Sequence, residues 1–257
     1  MGAEGRLSHT PFRTKADIVH HLERRVLDRE FVVGEKLPSE RDLCLQYAVS
    51  RPVIREALAG LVERGLIDVF AGRGSFVRAV TTDDLAQSLT RVATRAGITS
   101  RDLVSARVML ECTAAEMAAT RQNVQDIDDI FAALELHEAA HSLAERARTD
   151  LVFHEAVAVA SGNPVIALMF GSIRSQVHAL MLRSHSDRKV RRLGDPLHQQ
   201  IAEGIRDSDP VAARAAMSEH LQLALNLFGK DLDRPLAEML ESRGLGSSPP
   251  LRTTELI

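Results

Sequence analysis

Between Gly34 and Val77 the chain sets two helix starts, a short turn, a glycine stop and a glycine-tipped hairpin in close succession. Few folds accommodate that order. Ser39-Glu40-Arg41-Asp42 is a capping-box-like start, because the Ser39 hydroxyl can accept from a first-turn backbone N–H. Leu43, Leu45 and Tyr47 continue it as a short, mostly apolar helix. Ser50 is expected to cap a second helix, with Pro52 tolerated because first-turn N–H groups have no intrahelical partner. Val53, Ile54, Ala57, Leu58, Leu61 and Val62 then recur at three- and four-residue spacing, so one face of that helix is core. Gly65 supplies a helix C-terminus. Beyond it, Leu66–Phe70 and Ser75–Arg78 are β-like runs around Ala71-Gly72-Arg73-Gly74, a hairpin signal.

Two helices joined by a three- or four-residue turn fit a helix-turn-helix, whose second helix enters a DNA major groove by its N-terminal end. Here that end carries Ser50, Arg51 and Arg55, and Arg41 stands where the first of the two begins. An arginine held between two glycines, Arg73 between Gly72 and Gly74, suits contact with phosphates or the minor groove. Spacing alone leaves open a solvated charged face on a helix-turn-helix that binds no DNA.

The same residues resemble the GntR family of bacterial transcription regulators, through Pro38-Ser-Glu-Arg41, Ser50-Arg51, Arg55-Glu-Ala-Leu58 and Gly72-Arg-Gly74. The resemblance departs at Arg51-Pro-Val-Ile-Arg55, where many members place Thr or Ser before the proline or valine, which leaves the operator sequence open. It implies a winged helix-turn-helix in which Arg41, Ser50, Arg51, Arg55, Gly72, Arg73 and Gly74 meet DNA.

The rest of the chain is of a different kind. At 257 residues two domains are expected. The residues through Arg78 carry 13 Lys/Arg against 11 Asp/Glu, and the remainder 19 against 24, so a modestly basic front precedes an acidic back. With 4% aromatics and no Trp, the helices must pack through Leu, Ala and Val. We expect a loose tail at 1–12, the DNA-binding domain at 13–78, a linker at 79–83, an all-helical domain at 84–232 and a disordered tail at 233–257. Helical periods suggest a first helix from Lys15 to about Arg29, then 84–96, 100–121, 124–141, 143–160, 164–184, 190–207 and 210–229, with Ser100 and Asp209 as N-caps. The fold class is therefore mostly α: an N-terminal winged helix-turn-helix and a C-terminal all-α bundle. Cys44 and Cys112 fall in helical patterns of different domains and are expected to be small buried hydrophobes in a reducing cytoplasm. No signal peptide or membrane-length apolar run is expected.

Asp150 and His154 lie four apart on one otherwise apolar helix face. His198 and His220 each lie 11 residues from Asp209, so an antiparallel helix pair would bring them to one level, roughly 16 Å from the turn. Such a set suits a divalent metal held by nitrogen and oxygen, although on spacing alone a helical histidine is more often a hydrogen-bonded core or surface residue than a ligand. His137 and His141 form a second four-spaced pair, which the stripe Ile127, Ile130, Leu134 leaves at its rim. One of Arg174, His178, Arg183 and His185 is expected to line the same interior.

This second domain is similar to the effector domain of the FadR-type GntR branch, the group called FCD, through Arg107-x3-Glu111, Asp150-x3-His154, Ser161-Gly-Asn163, His198 and His220. The resemblance implies a divalent metal, zinc foremost, with nickel, manganese, cobalt or iron as alternatives, on Asp150, His154, His198 and His220. It implies Arg107 as the anchor of a small organic acid; an ion pair with Glu111 is the competing role. Asn163 is expected to cap the turn before Pro164.

The expected function is that of a ligand-responsive transcription regulator, a cytoplasmic homodimer that binds inverted-repeat operator DNA and releases it on binding effector. A metal-dependent hydrolase with a DNA-binding head, and a constitutive DNA binder with a structural metal, are the two competing classes.

Overall fold

The computed structural model describes residues 14–79 and 82–245, in two compact units that divide after Thr81. The expected tail at 1–12 and part of the expected linker lie outside the described residues.

The first unit opens with α1 (Lys15–Leu27), started by a reciprocal capping box between Thr14 and Asp17. Helices α2 (Glu40–Tyr47) and α3 (Arg51–Glu63) follow, separated by three residues, with Ala48 in the left-handed region at φ 53°. The Ser39 hydroxyl accepts from Asp42 N–H and so caps α2 as its sequence implies. Ser50 occupies the N-cap position of α3 in extended backbone but makes no capping bond, which leaves its exposed hydroxyl uncommitted to the helix. Gly65 ends α3 at φ +69°. Strands β1 (Ile67–Phe70) and β2 (Gly74–Val77) pair antiparallel, Ile67 opposite Val77 and Phe70 opposite Gly74. The chain entering α2 adds an edge to this hairpin: Leu37 N–H donates to Ser75 O and Val77 N–H to Glu35 O, both at 2.8 Å. Ile18, Leu22, Leu43, Ile54, Leu61 and Ile67 close one core beneath the three helices and the hairpin.

The second unit is helical throughout its described residues: α4 (Thr82–Ala96), α5 (Ser100–Arg121), α6 (Val124–Glu138), α7 (Leu143–Ala160), α8 (Pro164–His185), α9 (Arg188–Arg206), α10 (Pro210–Leu227) and α11 (Leu236–Ser242). The N-cap of α5 is Thr99, not Ser100. Thr99 and Asp102 form a reciprocal capping box, whereas Ser100 is fully buried in the first turn. Asp209 caps α10 by accepting from the N–H groups of Val211 and Ala212. Helix α9 runs through Gly194 and Pro196 without a break, although Pro196 can donate no backbone N–H. Helix α6 stops at Glu138, short of 141, because Ser142 starts α7 with its own capping box to Glu145.

The expected disordered tail needs correcting over part of its length. Within 233–257, α11 buries Leu236 and Met239. It is tied to the start of α5 by Leu236 N–H to Ile98 O, by Arg101 N–H to Leu232 O and by the Arg101–Asp233 ion pair at 2.7 Å. Residues 246–257 lie outside the described part.

Helix α8 is long and apolar enough to cross a membrane, yet half of its apolar stretch is buried inside the unit. It also carries Arg183, ion-paired to buried Asp231 at 2.6 Å and seated over the Phe228 ring, as a helix packed within a folded domain would. Cys44 and Cys112 are both free thiols, the first half-buried and the second buried.

Candidate nucleic-acid interface and metal centre

In the first unit the functional candidates are surface groups. Arg41, Ser50, Arg51, Arg55 and Arg73 are exposed, and the core face of α3 lies opposite, on Ile54, Ala57, Leu58 and Leu61. The local fold dictates this division, since Arg51 and Arg55 are four apart and share a face that the apolar spacing excludes from the core. Arg55 Nε reaches both carboxylate oxygens of Glu40 at 3.0 and 3.1 Å, a tie between the first turn of α2 and that of α3. At the hairpin tip, Gly72 and Gly74 adopt φ +73° and +111°, which residues with a Cβ rarely tolerate. Between them the Arg73 guanidinium lies 5.4 Å from the Phe70 ring centroid and 5.8 Å from that of Phe76. Those rings, 5.7 Å apart and edge to face, form a shelf that holds the cation at the tip.

The second unit brings Asp150, His154, His198 and His220 together, each with a ligand-capable atom within 4.8 Å of the others. Three helices supply them. Asp150 and His154 stand one turn apart on α7, while His198 on α9 faces His220 on α10 with ring centroids 4.3 Å apart. The equal spacing of His198 and His220 from Asp209 produces that meeting.

Asp150 is the hub. Its Oδ1 accepts from His198 Nε2 at 2.9 Å and lies 3.2 Å from His154 Nε2, and its Oδ2 accepts from His185 Nε2 at 2.9 Å. Burial works to raise its pKa, but the neighbouring His198 and the hydrogen bonds from His154, His185 and His198 outweigh it and hold Asp150 well below the usual carboxylate range. Burial lowers the pKa of His198, against the pull of Asp150. Burial, joined by His198 and His154, pushes His220 well below the ordinary histidine range. For His154 burial acts downward, and Glu111 with Asp150 overcome it, so its pKa is raised.

Glu111 is the residue that the sequence reading undervalued. It is fully buried, and its Oε2 bonds His154 Nδ1 while its Oε1 accepts from Arg107 Nε at 2.6 Å. A carboxylate on Nδ1 fixes the ring so that Nε2 faces the cluster, the arrangement common behind metal-bound histidines. The Arg107–Glu111 ion pair therefore forms, yet Arg107 also borders the cavity beside the cluster, and a guanidinium has five donors to distribute. His185, one of four candidates on α8, is the one that joins Asp150; Arg174 pairs with Glu155 at 3.0 Å and Arg183 with Asp231. Asn163 caps α8 through Val165 N–H.

His137 is not a rim residue. Its side chain is buried, 5.0 Å from His198 and 5.3 Å from His185 by ring centroids, because α7 and α9 both pack on α6. His141 is exposed.

The four atoms fit a metal ion. His220 Nδ1 is buried with no hydrogen-bond partner among the described residues, and His154 Nε2 meets only Asp150 Oδ1, a ligand atom of the same set, at 3.2 Å. Three imidazoles and one ionised carboxylate match zinc and its first-row neighbours. Beside them is a small cavity of about 30 Å³, bordered by Arg107, His185, Arg191, Asp195, His198 and His220.

Comparison with known proteins accords with both units. Residues 14–77 match the family described as bacterial regulatory proteins, gntR family, and residues 102–223 match the FCD domain. The Glc operon transcriptional activator of Escherichia coli strain K12 is 31% identical over 219 residues, spanning 80% of this chain and 85% of that protein. The HTH-type transcriptional repressor NanR of Enterobacter sp. strain 638 is 31% identical over 219 residues, spanning 79% and 81%. Among solved structures, Streptococcus agalactiae GntR is 28% identical with a TM-score of 0.65, over 82% of this chain and 99% of that one.

Proposed function

The chain belongs to the GntR family of bacterial regulatory proteins and carries an FCD domain; from that premise we propose that it is a cytoplasmic homodimeric repressor, released from operator DNA by a small organic acid received at a metal in the second unit. The observation that carries this reading is the convergence of Asp150, His154, His198 and His220 beside a cavity that Arg107 borders.

On the DNA side, α3 presents its leading end to the major groove, where Arg51 and Arg55 offer paired donors to a guanine edge. Ser50, with no capping bond to make, is available to a phosphate or base. Arg41 and Arg73 neutralise backbone phosphates, and the tight glycine turn lets the hairpin tip approach the duplex. A dimer places two such helices on inverted half-sites about 34 Å apart.

On the sensor side, Asp150, His154, His198 and His220 would hold a divalent cation, zinc foremost, with nickel, manganese, cobalt or iron as alternatives. When bound, it supplies positive charge to an incoming carboxylate. Arg107 supplies a planar pair of donors to the same group, and Glu111 keeps that arginine and His154 in register. The buried setting strengthens each of these contacts. We read the site as one of binding rather than catalysis: both oxygens of Glu111 are already engaged, so it is poorly placed as a general base.

The test is a thermal-shift screen of metal-loaded protein against small carboxylic acids, followed by fluorescence anisotropy on duplex DNA from beside its own gene. A stabilising acid should weaken DNA binding five- to 150-fold, a coupling of about 1–3 kcal/mol. Arg51→Ala or Arg55→Ala should cost roughly 1–3 kcal/mol of specific binding. An acid that binds but leaves DNA affinity unchanged would favour a constitutive binder, and turnover of the acid would favour an enzyme.

A further inference from the structure

His137, Asp195 and His198 form a second set of atoms that all lie within 4.8 Å of one another, and Asp195 and His198 border the same cavity. Thr149 fixes what His137 can do there. The Thr149 hydroxyl donates to Glu145 O at 2.9 Å, so toward His137 Nδ1, 3.1 Å away, it accepts. With the hydroxyl proton so assigned, Nδ1 carries the ring proton and Nε2 offers a lone pair. That lone pair faces Asp195 Oδ1 at 3.7 Å, too long for a hydrogen bond, and neither atom has another partner among the described residues. His198 completes the set: its Nε2 bonds Asp150, while its buried Nδ1 has no partner among the described residues.

Arg146 Nη1 meets the other oxygen of Asp195 at 3.4 Å, which leaves Oδ1 and His137 Nε2 as two buried acceptor atoms turned toward one another, a pair that a cation between them would satisfy. Two ligands at about 2.1 Å from a tetrahedral ion stand about 3.4 Å apart, close to the 3.7 Å between His137 Nε2 and Asp195 Oδ1.

We propose that His137 Nε2, Asp195 Oδ1 and His198 Nδ1 form an outer station for a divalent cation, from which the ion passes to the inner site. One neutral imidazole has one lone pair, so His198 serves either station but not both, and the chain holds one ion at a time. Asp195, whose side chain is 42% exposed, opens the outer station to solvent more than the inner one, where Asp150 and His154 are buried and His220 is partly buried. The proposal rests on the metal reading of the inner site for the hand-off, but His137 and Asp195 belong to the outer station alone.

The probe is Co2+, followed by its visible absorption in the full-length protein. Wild-type chain should take up one ion. The variant His154→Gln/His220→Gln, with the inner site disabled, should still bind one Co2+ more weakly, and adding His137→Gln should abolish that binding. His137→Gln alone should keep the stoichiometry of one but slow uptake several-fold. Absence of Co2+ binding by a folded inner-site variant, or binding that His137→Gln does not change, overturns the outer station; so does unaltered uptake in His137→Gln, which decides the matter if the double variant does not fold. A wild-type chain that binds no Co2+ counts instead against the inner site and the function proposed from it.

Discussion

The two units place their functional groups in opposite surroundings. In the first, Arg41, Arg51, Arg55 and Arg73 stand in water on a scaffold whose core they do not touch. In the second, Asp150, Glu111, His154 and His198 are the core at that point, each buried and held by the next. Contact with DNA requires charge that can be reached and costs little to display, since exposed ion pairs contribute near zero to about 1 kcal/mol. A site that holds a metal and an acid requires polar groups fixed before the ligand arrives, and a buried polar group without its partner is expensive. Stability and function should therefore be separable in the head and inseparable in the sensor.

The strongest challenge to that contrast is Asp150→Ala in metal-free protein. It strands His154, His185 and His198 without their common acceptor and should destabilise the second unit by about 3–5 kcal/mol in a urea titration. A loss within experimental scatter would show that the cluster is not part of the unit's structural core. Gly204→Ala tests the frame that brings His198 to His220. A Cβ there would sit 2.8 Å from Ala213 N and 3.0 Å from its Cα, so α9 and α10 must part, at about 1–3 kcal/mol. A weaker loss of metal affinity than of stability would mean that the two histidines tolerate the shift.

Acid should separate the units as well. Burial lowers the pKa of His198 and His220, and burial with Arg174 brings His178 to about 4, whereas His154 is raised. A histidine whose folded pKa is lowered stays neutral in the fold but takes a proton on unfolding. Its contribution is complete above the unfolded value near 6.5 and is lost as pH falls below it. His154 acts in the opposite sense, keeping its contribution below 6.5 and losing it as pH rises. Three lowered groups against one raised predict a melting temperature for the metal-free second unit that falls from pH 7 to pH 5. A rise over that range would refute the assignment. Thr99→Ala, which removes half of the α5 capping box, should cost about 1 kcal/mol. At the small end, Arg51→Ala should change stability by no more than about 0.5 kcal/mol while weakening specific DNA binding.

How much of this was legible in the sequence follows the same division. The head is built from signals local in sequence: the Ser39 cap, the three-residue turn, Gly65 and the Gly72-Arg73-Gly74 tip each specify their own geometry. In the sensor, only pairs with a countable relation could be anticipated, Asp150 with His154 by one helical turn and His198 with His220 by their common distance from Asp209. Glu111, His185 and His137 join the cluster through contacts 43, 35 and 12 residues along the chain, to His154, Asp150 and Thr149, and no periodicity encodes which helices meet. The helix at Leu236–Ser242 escaped for a similar reason: it is short, and its burial depends on the start of α5, far away in sequence. Ser100 was missed as a core residue by a single position, because Thr99 with Asp102 makes the better box.

The account turns on whether three histidines and an aspartate in the second unit hold a metal. Elemental analysis of the chain purified without chelator should find about one divalent ion per protomer, and none in a folded His198→Ala/His220→Ala variant. Full occupancy in that variant, or a wild-type chain that takes up no metal from a zinc-containing buffer, would contradict it.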